Sequence, residues 1–315
     1  MSNMLMDAIA KADTVAIGGH VRPDGDCVGS CLALYNYMLD NFGMAPDVYL
    51  EPIPESYQRV RGFDKVISDF SEDKSYDLFI VFDCSEKGRL GDAVKYFEQA
   101  KHTVCIDHHI SQGTFADENQ ILSEASSACE VLYDFLDPDK ISLETADCLY
   151  MGMMCDTGCF KYSCTSEKTM RIAGKLISIG VNTSKMMDEV FYQKTYKQNL
   201  LLGRCLLNSH LELDGKCIMC SVPLSLLDEY EAASSDLEGI IDQMRLTKGV
   251  EVAVLMTENK EGQWKLSLRS CEYVDVQKIV SVYGGGGHVH AAGATVADAQ
   301  EAIAKDLLVR IGEVI

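Results

Sequence analysis

Along the first half of the chain, short apolar runs alternate with stretches of helical periodicity. Thr14-Val15-Ala16-Ile17, Asp47 to Leu50, Leu78-Phe79-Ile80-Val81-Phe82 and Thr103-Val104-Cys105-Ile106 read as strands, because runs this short and apolar need cover on both faces. After the first of them, Val28, Leu32, Tyr35 and Leu39 recur at helical spacing, and the pattern ends near Asn41 and Gly43. Ser126 or Ser127 opens another helical segment through Val131, Leu132 and Phe135, stopped by Pro138, and a further helix is predicted from about Leu143 to Met154. Strands alternating with helices specify an α/β fold with a doubly wound parallel sheet, in which ligands bind beyond the carboxyl ends of the strands.

The pattern changes in the second half. From about Ser184 to Leu207 it is long and helical with polar residues mixed in, and it reads as a connection between domains. Strand-like runs follow at Lys216 to Val222, Val250 to Thr257 and Trp264 to Arg269, the last two joined by the hairpin-type turn Glu258-Asn259-Lys260-Glu261-Gly262. Helices are predicted near Asp236 to Leu246, Val274 to Val282 and Asp298 to Ile311, with Gly284-Gly285-Gly286-Gly287-His288 between the last two. Three parts are therefore expected: a catalytic domain over 1–185, a helical linker over 186–207 and a smaller α/β domain over 208–315.

Candidate chemistry gathers where the first-half strands stop. His20, Asp24 and Asp26 lie in the loop after the first strand, Asp83 directly follows the third, Asp107-His108-His109 end the fourth, and Asp156-Thr157-Gly158 close a helix. Each piece alone has an ordinary reading. Asp24 and Asp26 around Gly25 make a turn after Pro23, Asp83 caps a helix, and Asp156-Thr157-Gly158 is a helix exit. Together, separate segments deliver ligand types to one sheet edge. Four aspartates and two histidines suit manganese, iron or zinc better than calcium or magnesium alone. Six side chains exceed what one ion usually takes, so two divalent ions are expected, with Asp83 best placed to bridge them. Such a pair lowers the pKa of a shared water and stabilises charge on a phosphoryl group.

Composition narrows the partners. A formal charge of −20 opposes unspecific binding to long nucleic acid, whose affinity comes from basic residues. No apolar run approaches the roughly 20 residues of a membrane span, and Met1-Ser2-Asn3-Met4 carries no basic leader, so a cytoplasmic protein is expected. The 13 cysteines are spread over 315 residues, mostly inside apolar runs, and read as free buried thiols. Cys217 and Cys220 form a lone Cys-x-x-Cys inside a strand-like run, without the second pair that a zinc site needs.

His20-x-x-x-Asp24-x-Asp26, the strand-end Asp83, Asp107-His108-His109, Asp156-Thr157-Gly158 and the glycine run ending in His288 resemble the motifs of the DHH phosphoesterase superfamily with its associated DHHA1 domain. The resemblance covers nearly the whole chain and is greatest to the family's nano-RNase and pAp-phosphatase branch. It implies that His20, Asp24 and Asp83 hold one manganese ion, and that Asp26, Asp83, His108 and Asp156 hold another. Asp107 would orient a histidine, and His109 would act at the scissile phosphate. Arg269 and Ser270 match the family's arginine-serine element, and with Gly286, Gly287 and His288 they would bind the substrate. The His288 end is expected to start a short helix. His102, His210 and His290 carry no assigned role.

The implied activity is manganese-dependent release of 5′ mononucleotides from short oligoribonucleotides, with dephosphorylation of pAp. Alternatives are hydrolysis of cyclic di-AMP or pApA, a catalytically inactive nucleotide-binding module, and an inorganic pyrophosphatase or exopolyphosphatase. The expected partners are short oligoribonucleotides, pAp or small dinucleotides, with no long duplex and no membrane; a homodimer is compatible with the pattern.

Overall fold

The structure, a computed structural model, describes residues 3–109 and 114–315; Met1 and Ser2 of the amino-terminal reading lie outside the described residues. The chain divides into two compact units after Gln193.

The first unit is built on six strands: β1 (Val15–Gly18), β2 (Asp47–Tyr49), β3 (Val66–Ile67), β4 (Leu78–Phe82), β5 (His102–Asp107) and β6 (Glu118–Ile121). They form one sheet in the order β3-β2-β1-β4-β5-β6, and every pairing is parallel. The period of two sorts the apolar runs. Ile17, Ile80, Phe82, Val104 and Ile106 pack toward the helices Gly25–Phe42, Ala128–Tyr133 and Leu143–Asp156. Ala16, Phe79, Val81 and Cys105 face Tyr96 and Phe97 of the helix Val94–Gln99 on the other side. The sheet is thus covered on both faces, as its uninterrupted apolar strands require. Sequence neighbours run outward in both directions from β1 and β4, so the order reverses there, and the crevice at that reversal is where the fold binds ligands.

Two glycines set the closest helix contact. A Cβ on Gly29 would lie 2.7 Å from the Cys148 carbonyl oxygen, and one on Gly152 would lie 2.3 Å from Cys129 Sγ and 2.8 Å from Asp26 Oδ1. Only hydrogen atoms at these positions let Gly25–Phe42 and Leu143–Asp156 meet backbone to backbone.

The predicted helical connection is broken. Thr183–Met187 continues into a π-turn, Asp188–Tyr192, and a new helix, Tyr196–Asn208, starts on a Thr195–Gln198 capping box. Leu201 and Cys205 of that helix are buried in the core of the second unit.

The second unit has a mixed sheet of β7 (His210–Glu212), β8 (Cys217–Val222), β9 (Val252–Glu258), β10 (Trp264–Ser270), β11 (Gly286–His288) and β12 (Ala291–Val296), ordered β11-β12-β10-β9-β8-β7. β8 and β9 are parallel and the other neighbours antiparallel. Leu266, Leu268, Val254, Met256, Ala292 and Ala294 form one apolar face, covered by the helices Val276–Ser281 and Gln300–Gly312. Where a short helix was expected at His288, the chain forms the β11–β12 hairpin. Successive glycines have no side chain with which to stabilise a helix, and antiparallel pairing to Ala291–Gly293 satisfies their backbone instead. All 13 cysteines are free thiols. No helix among the described residues is long and apolar enough to cross a membrane.

Candidate metal centre

Each candidate ligand in the first unit is fixed by its local backbone. Asp24 is the N-cap of Gly25–Phe42, its Oδ1 accepting the amides of Asp26 and Cys27 at 3.1 and 3.2 Å. Its other oxygen lies 3.7 Å from His20 Nε2. The His20 ring donates from Nδ1 to the Val21 carbonyl at 2.8 Å, which turns Nε2 toward Asp24 and Asp83. Asp83 follows β4 in the left-handed region at φ 52°, a conformation aspartate tolerates better than most residues, and its amide bonds the Ile106 carbonyl of β5. That turn places the carboxylate between two histidines, with Oδ2 3.3 Å from His20 Nε2 and Oδ1 3.5 Å from His108 Nε2.

His108 reaches Asp156 Oδ2 at 3.0 Å and Asp26 Oδ2 at 3.9 Å. Asp156 is the last residue of its helix, so it arrives at the sheet edge from the carboxyl end. Asp26 is fully buried, and its carboxylate is held from a distant segment: Ala128 donates to Oδ2 at 2.5 Å and Cys129 to Oδ1 at 3.0 Å. These amides open the helix Ala128–Tyr133, and their orientation favours a carboxylate there. Asp107 is fully buried too. Its Oδ1 accepts the amide of His108 and the Nδ1 of His109, both at 2.8 Å. The histidine that Asp107 orients is therefore His109, and His109 Nε2 is left available.

Crowded acids and bases shift one another. Burial works against the charged forms of His20 and His108, but hydrogen bonds to Asp24 and Asp83, and to Asp156 and Asp83, outweigh it and push both up to about 11. Burial, with repulsion from Asp83 and Asp156, raises Asp26 well above the usual carboxylate range. Asp156 is raised as well, chiefly by burial. Burial also opposes ionisation of Asp83, yet hydrogen bonds from His108 and His20 hold it below the usual range. The bond to Asp107 raises His109.

The donor set fits divalent cations. Asp107 Oδ2 is buried and without a hydrogen-bond partner, Asp83 Oδ1 has only the 3.5 Å contacts to His108 and His109, and four carboxylates crowd a small volume whose negative charge two divalent ions would offset. Donor atoms of Asp26, His108 and Asp156 lie within 4.8 Å of one another, as do those of His20, Cys27 and Asp83. Cys27 is absent from the sequence-derived set. Burial first, then its neighbour Cys31, raises its thiol, so it lines the site in the neutral form.

The second unit places the remaining candidates. Arg269 and Gly286 line a cavity of about 700 Å³, and Arg269 also lies 3.7 Å from Asp242. Gly287 and His288 are exposed on β11, with Gly287 at φ 145° against the Ala291 carbonyl. Ser270 is buried, its hydroxyl bonded to the Val274 carbonyl at 2.6 Å and to His290 Nδ1 at 2.9 Å. It ties the β11–β12 loop to the end of β10, which gives His290 a structural partner. Sequence reasoning also missed Glu251, a buried carboxylate that accepts the amides of Glu272, Tyr273 and Val274 and pins the segment after Ser270. Nothing local to Glu251 distinguishes it from a surface glutamate; its amide partners come from more than 20 residues away.

A parallel sheet with paired carboxylate and histidine clusters at its carboxyl edge, followed by a separate mixed-sheet domain, defines a class of protein. The model described as DHH family, N-terminal domain matches residues 14–153, and the DHHA1 domain model matches residues 214–312. Residues 14–153 thus form a DHH-family domain and residues 214–312 a DHHA1 domain. It is 27% identical over 310 residues to the Bacillus subtilis bifunctional oligoribonuclease and PAP phosphatase NrnA, covering 96% of this chain and 95% of that protein. It is 28% identical over 286 residues to the Thermus thermophilus protein of the same name, covering 89% and 83%. Among solved structures, an exopolyphosphatase-related protein from Bacteroides fragilis superposes with a TM-score of 0.86 at 24% identity, covering 99% of this chain and 96% of that one.

Proposed function

We propose that the chain is a phosphoesterase that uses two manganese ions to release 5′ mononucleotides from short oligoribonucleotides and to dephosphorylate pAp. The observation that carries this reading is the position of Asp83: one buried carboxylate lies within 3.5 Å of histidines from two separate clusters. His20, Asp24 and Asp83 would hold one ion, and Asp26, Asp83, His108 and Asp156 the other. The curated relatives support the substrate class by their names.

When bound, the ions supply Lewis-acid activation of water and neutralise charge on the phosphoryl oxygens. The chain's own residues do the rest. The His20–Val21 bond fixes the nitrogen offered to a cation, and the Ala128 and Cys129 amides hold Asp26 in place before any ion arrives. Asp107 holds His109 by Nδ1 and favours its protonated form. As water attacks phosphorus and the bond to the ribose oxygen breaks, His109 Nε2 gives its proton to that leaving oxygen. In the second unit, Arg269 and His288 would grip a further phosphate, with Gly286 and Gly287 leaving room for its close approach.

The test is turnover of pAp, pApA, a five-residue oligoribonucleotide and cyclic di-AMP by one manganese-loaded preparation. Mononucleotides from short RNA together with phosphate from pAp support the reading. Dominant cleavage of cyclic di-AMP would overturn the substrate assignment, and no hydrolysis of any of the four would overturn the activity.

A further inference from the structure

The two donor groups at the carboxyl edge of the first sheet differ in one element. Asp26, His108 and Asp156 offer two carboxylates and an imidazole, whereas His20, Cys27 and Asp83 offer an imidazole, a sulfur and a carboxylate. In each group the donor atoms lie within 4.8 Å of one another, and His20, Cys27 and Asp83 are all buried. A buried cysteine is ordinary where apolar side chains surround it. Cys27 instead has a histidine and a carboxylate within ligand reach, and that carboxylate keeps one oxygen, Asp83 Oδ1, with only 3.5 Å contacts to His108 and His109.

Packing sets the sulfur there. Cys27 lies in the first turn of the helix Gly25–Phe42, its amide bonded to the Asp24 cap at 3.2 Å, and side chains in a helix tilt toward its amino end, here the loop that carries His20 and Asp24. A Cβ on Gly19 would lie 2.2 Å from Cys27 Sγ and 3.3 Å from the Phe82 carbonyl oxygen. The sulfur therefore rests on bare backbone between the ends of β1 and β4. His20 follows Gly19 in the chain and Asp83 follows Phe82, so the two strand ends deliver the nitrogen and the oxygen beside the same sulfur.

Resting on the two-ion reading above, we infer that Cys27 is a sulfur ligand of the first site, which with His20 and Asp83 binds a thiophilic divalent cation such as zinc or cobalt(II) more tightly than manganese. Sulfur is a soft donor that manganese, a cation of oxygen ligands, does not require, whereas sulfur with imidazole suits zinc and cobalt. With manganese in the first site, Cys27 stays a thiol beside His20, Asp24 and Asp83. With zinc, the S–H bond is exchanged for a sulfur–zinc bond and the proton passes to solvent. The group of Asp26, His108 and Asp156 has no sulfur with which to make that exchange. The first site is then the one from which a thiophilic cation displaces manganese, and Cys27 is the residue that sets the difference.

The test is a titration of the metal-free full chain with cobalt(II). Two cobalt ions are expected to bind, and a sulfur-to-cobalt charge-transfer band in the near ultraviolet should saturate with one of them. Cys27→Ser, a change of one atom, should abolish the band while both ions still bind. Cys31→Ser should keep it, because Cys31 lies one turn along the same helix and outside both donor groups. Competition gives the magnitude: the zinc concentration that releases the first manganese, read from the paramagnetic resonance of free manganese, is expected to rise at least about tenfold in Cys27→Ser. X-ray absorption of the wild type carrying one zinc should show a sulfur neighbour at about 2.3 Å, a reading that needs no variant. Cobalt spectra without a sulfur band, a band that survives in Cys27→Ser, or a zinc environment of nitrogen and oxygen alone would overturn the sulfur ligand and leave the two-ion reading standing. A wild type that holds fewer than two ions of either metal would instead sink the two-ion reading, and the sulfur band would still decide whether Cys27 binds a cation.

Discussion

Asp83→Asn separates a shared carboxylate from an ordinary ligand. The substitution keeps shape, and asparagine tolerates the left-handed backbone at φ 52° as well as aspartate does, so the turn after β4 survives. What changes is charge at a buried position 3.3 Å from His20 Nε2 and 3.5 Å from His108 Nε2. In the metal-free protein two charge-assisted bonds are weakened, offset by relief of a buried carboxylate near Asp26 and Asp156, and the net loss of unfolding free energy is about 1–3 kcal/mol. The metal consequence is larger. Both clusters lose their common anion, so metal content should fall by both ions and turnover by at least about a thousandfold, equivalent to roughly 4 kcal/mol of barrier. Asp24→Asn is the comparison: Asp24 touches only the His20 cluster and is half exposed, so its loss should remove one ion and leave the other. Metal content by mass spectrometry of native protein and turnover on a five-residue RNA read both variants. Two retained ions with activity within tenfold of wild type in Asp83→Asn would refute the shared-carboxylate arrangement.

Four further outcomes follow from the same geometry. Gly152→Ala places a methyl 2.8 Å from Asp26 Oδ1 and 2.3 Å from Cys129 Sγ, and overpacking of about 1–3 kcal/mol should outweigh the helix-propensity gain of about 1 kcal/mol. A lower melting temperature and weaker metal retention are expected, and an unchanged melt would show that the helix contact yields freely. Asp107→Asn should lower kcat roughly tenfold to a hundredfold with metal content intact. Because Asp107 raises His109 and the protonated form is the one required, the alkaline limb of the kcat profile should move to lower pH; a limb that stays put would remove His109 as the proton donor. Metal-free protein should release protons on loading, because His20 and His108, raised to about 11, are charged at pH 7 and bind cations only when neutral. Apparent affinity should then rise about tenfold per pH unit for each proton displaced, measurable by calorimetry in buffers of different ionisation enthalpy. Before loading, the same raised values add stability that is complete below about pH 6.5 and lost as pH climbs toward 11, so the metal-free form should melt lower at pH 9 than at pH 6.

Local pattern was enough to locate the loops that carry the candidate ligands. Four apolar runs and their period of two dictated buried parallel strands, and a parallel sheet necessarily gathers its carboxyl ends on one edge. His20, Asp83 and His108 are at that edge because of where the runs stop, and Asp24, read alone as part of a turn, proves to cap its helix. The glycine run was legible as a stretch where backbone comes close to something, but its shape was not, since whether glycines pair as strand or turn depends on the partner they meet, here Ala291 to Gly293.

Tertiary structure decided which partner each of these side chains has. Asp26 is anchored by amides 102 and 103 residues away, Asp107 bonds His109 and not the ligand candidate His108 ring, Cys27 comes within reach of His20 and Asp83, and Ser270 turns inward to His290. Periodicity reports which face of an element is buried, whereas hydrogen bonds and cation sites depend on atoms that only long-range packing brings together. Lys265, Ser267 and Arg269 show the same division: their alternation along β10 is written in the sequence, but the 3.7 Å approach of Arg269 to Asp242 of the helix Ile240–Arg245 exists only in the fold.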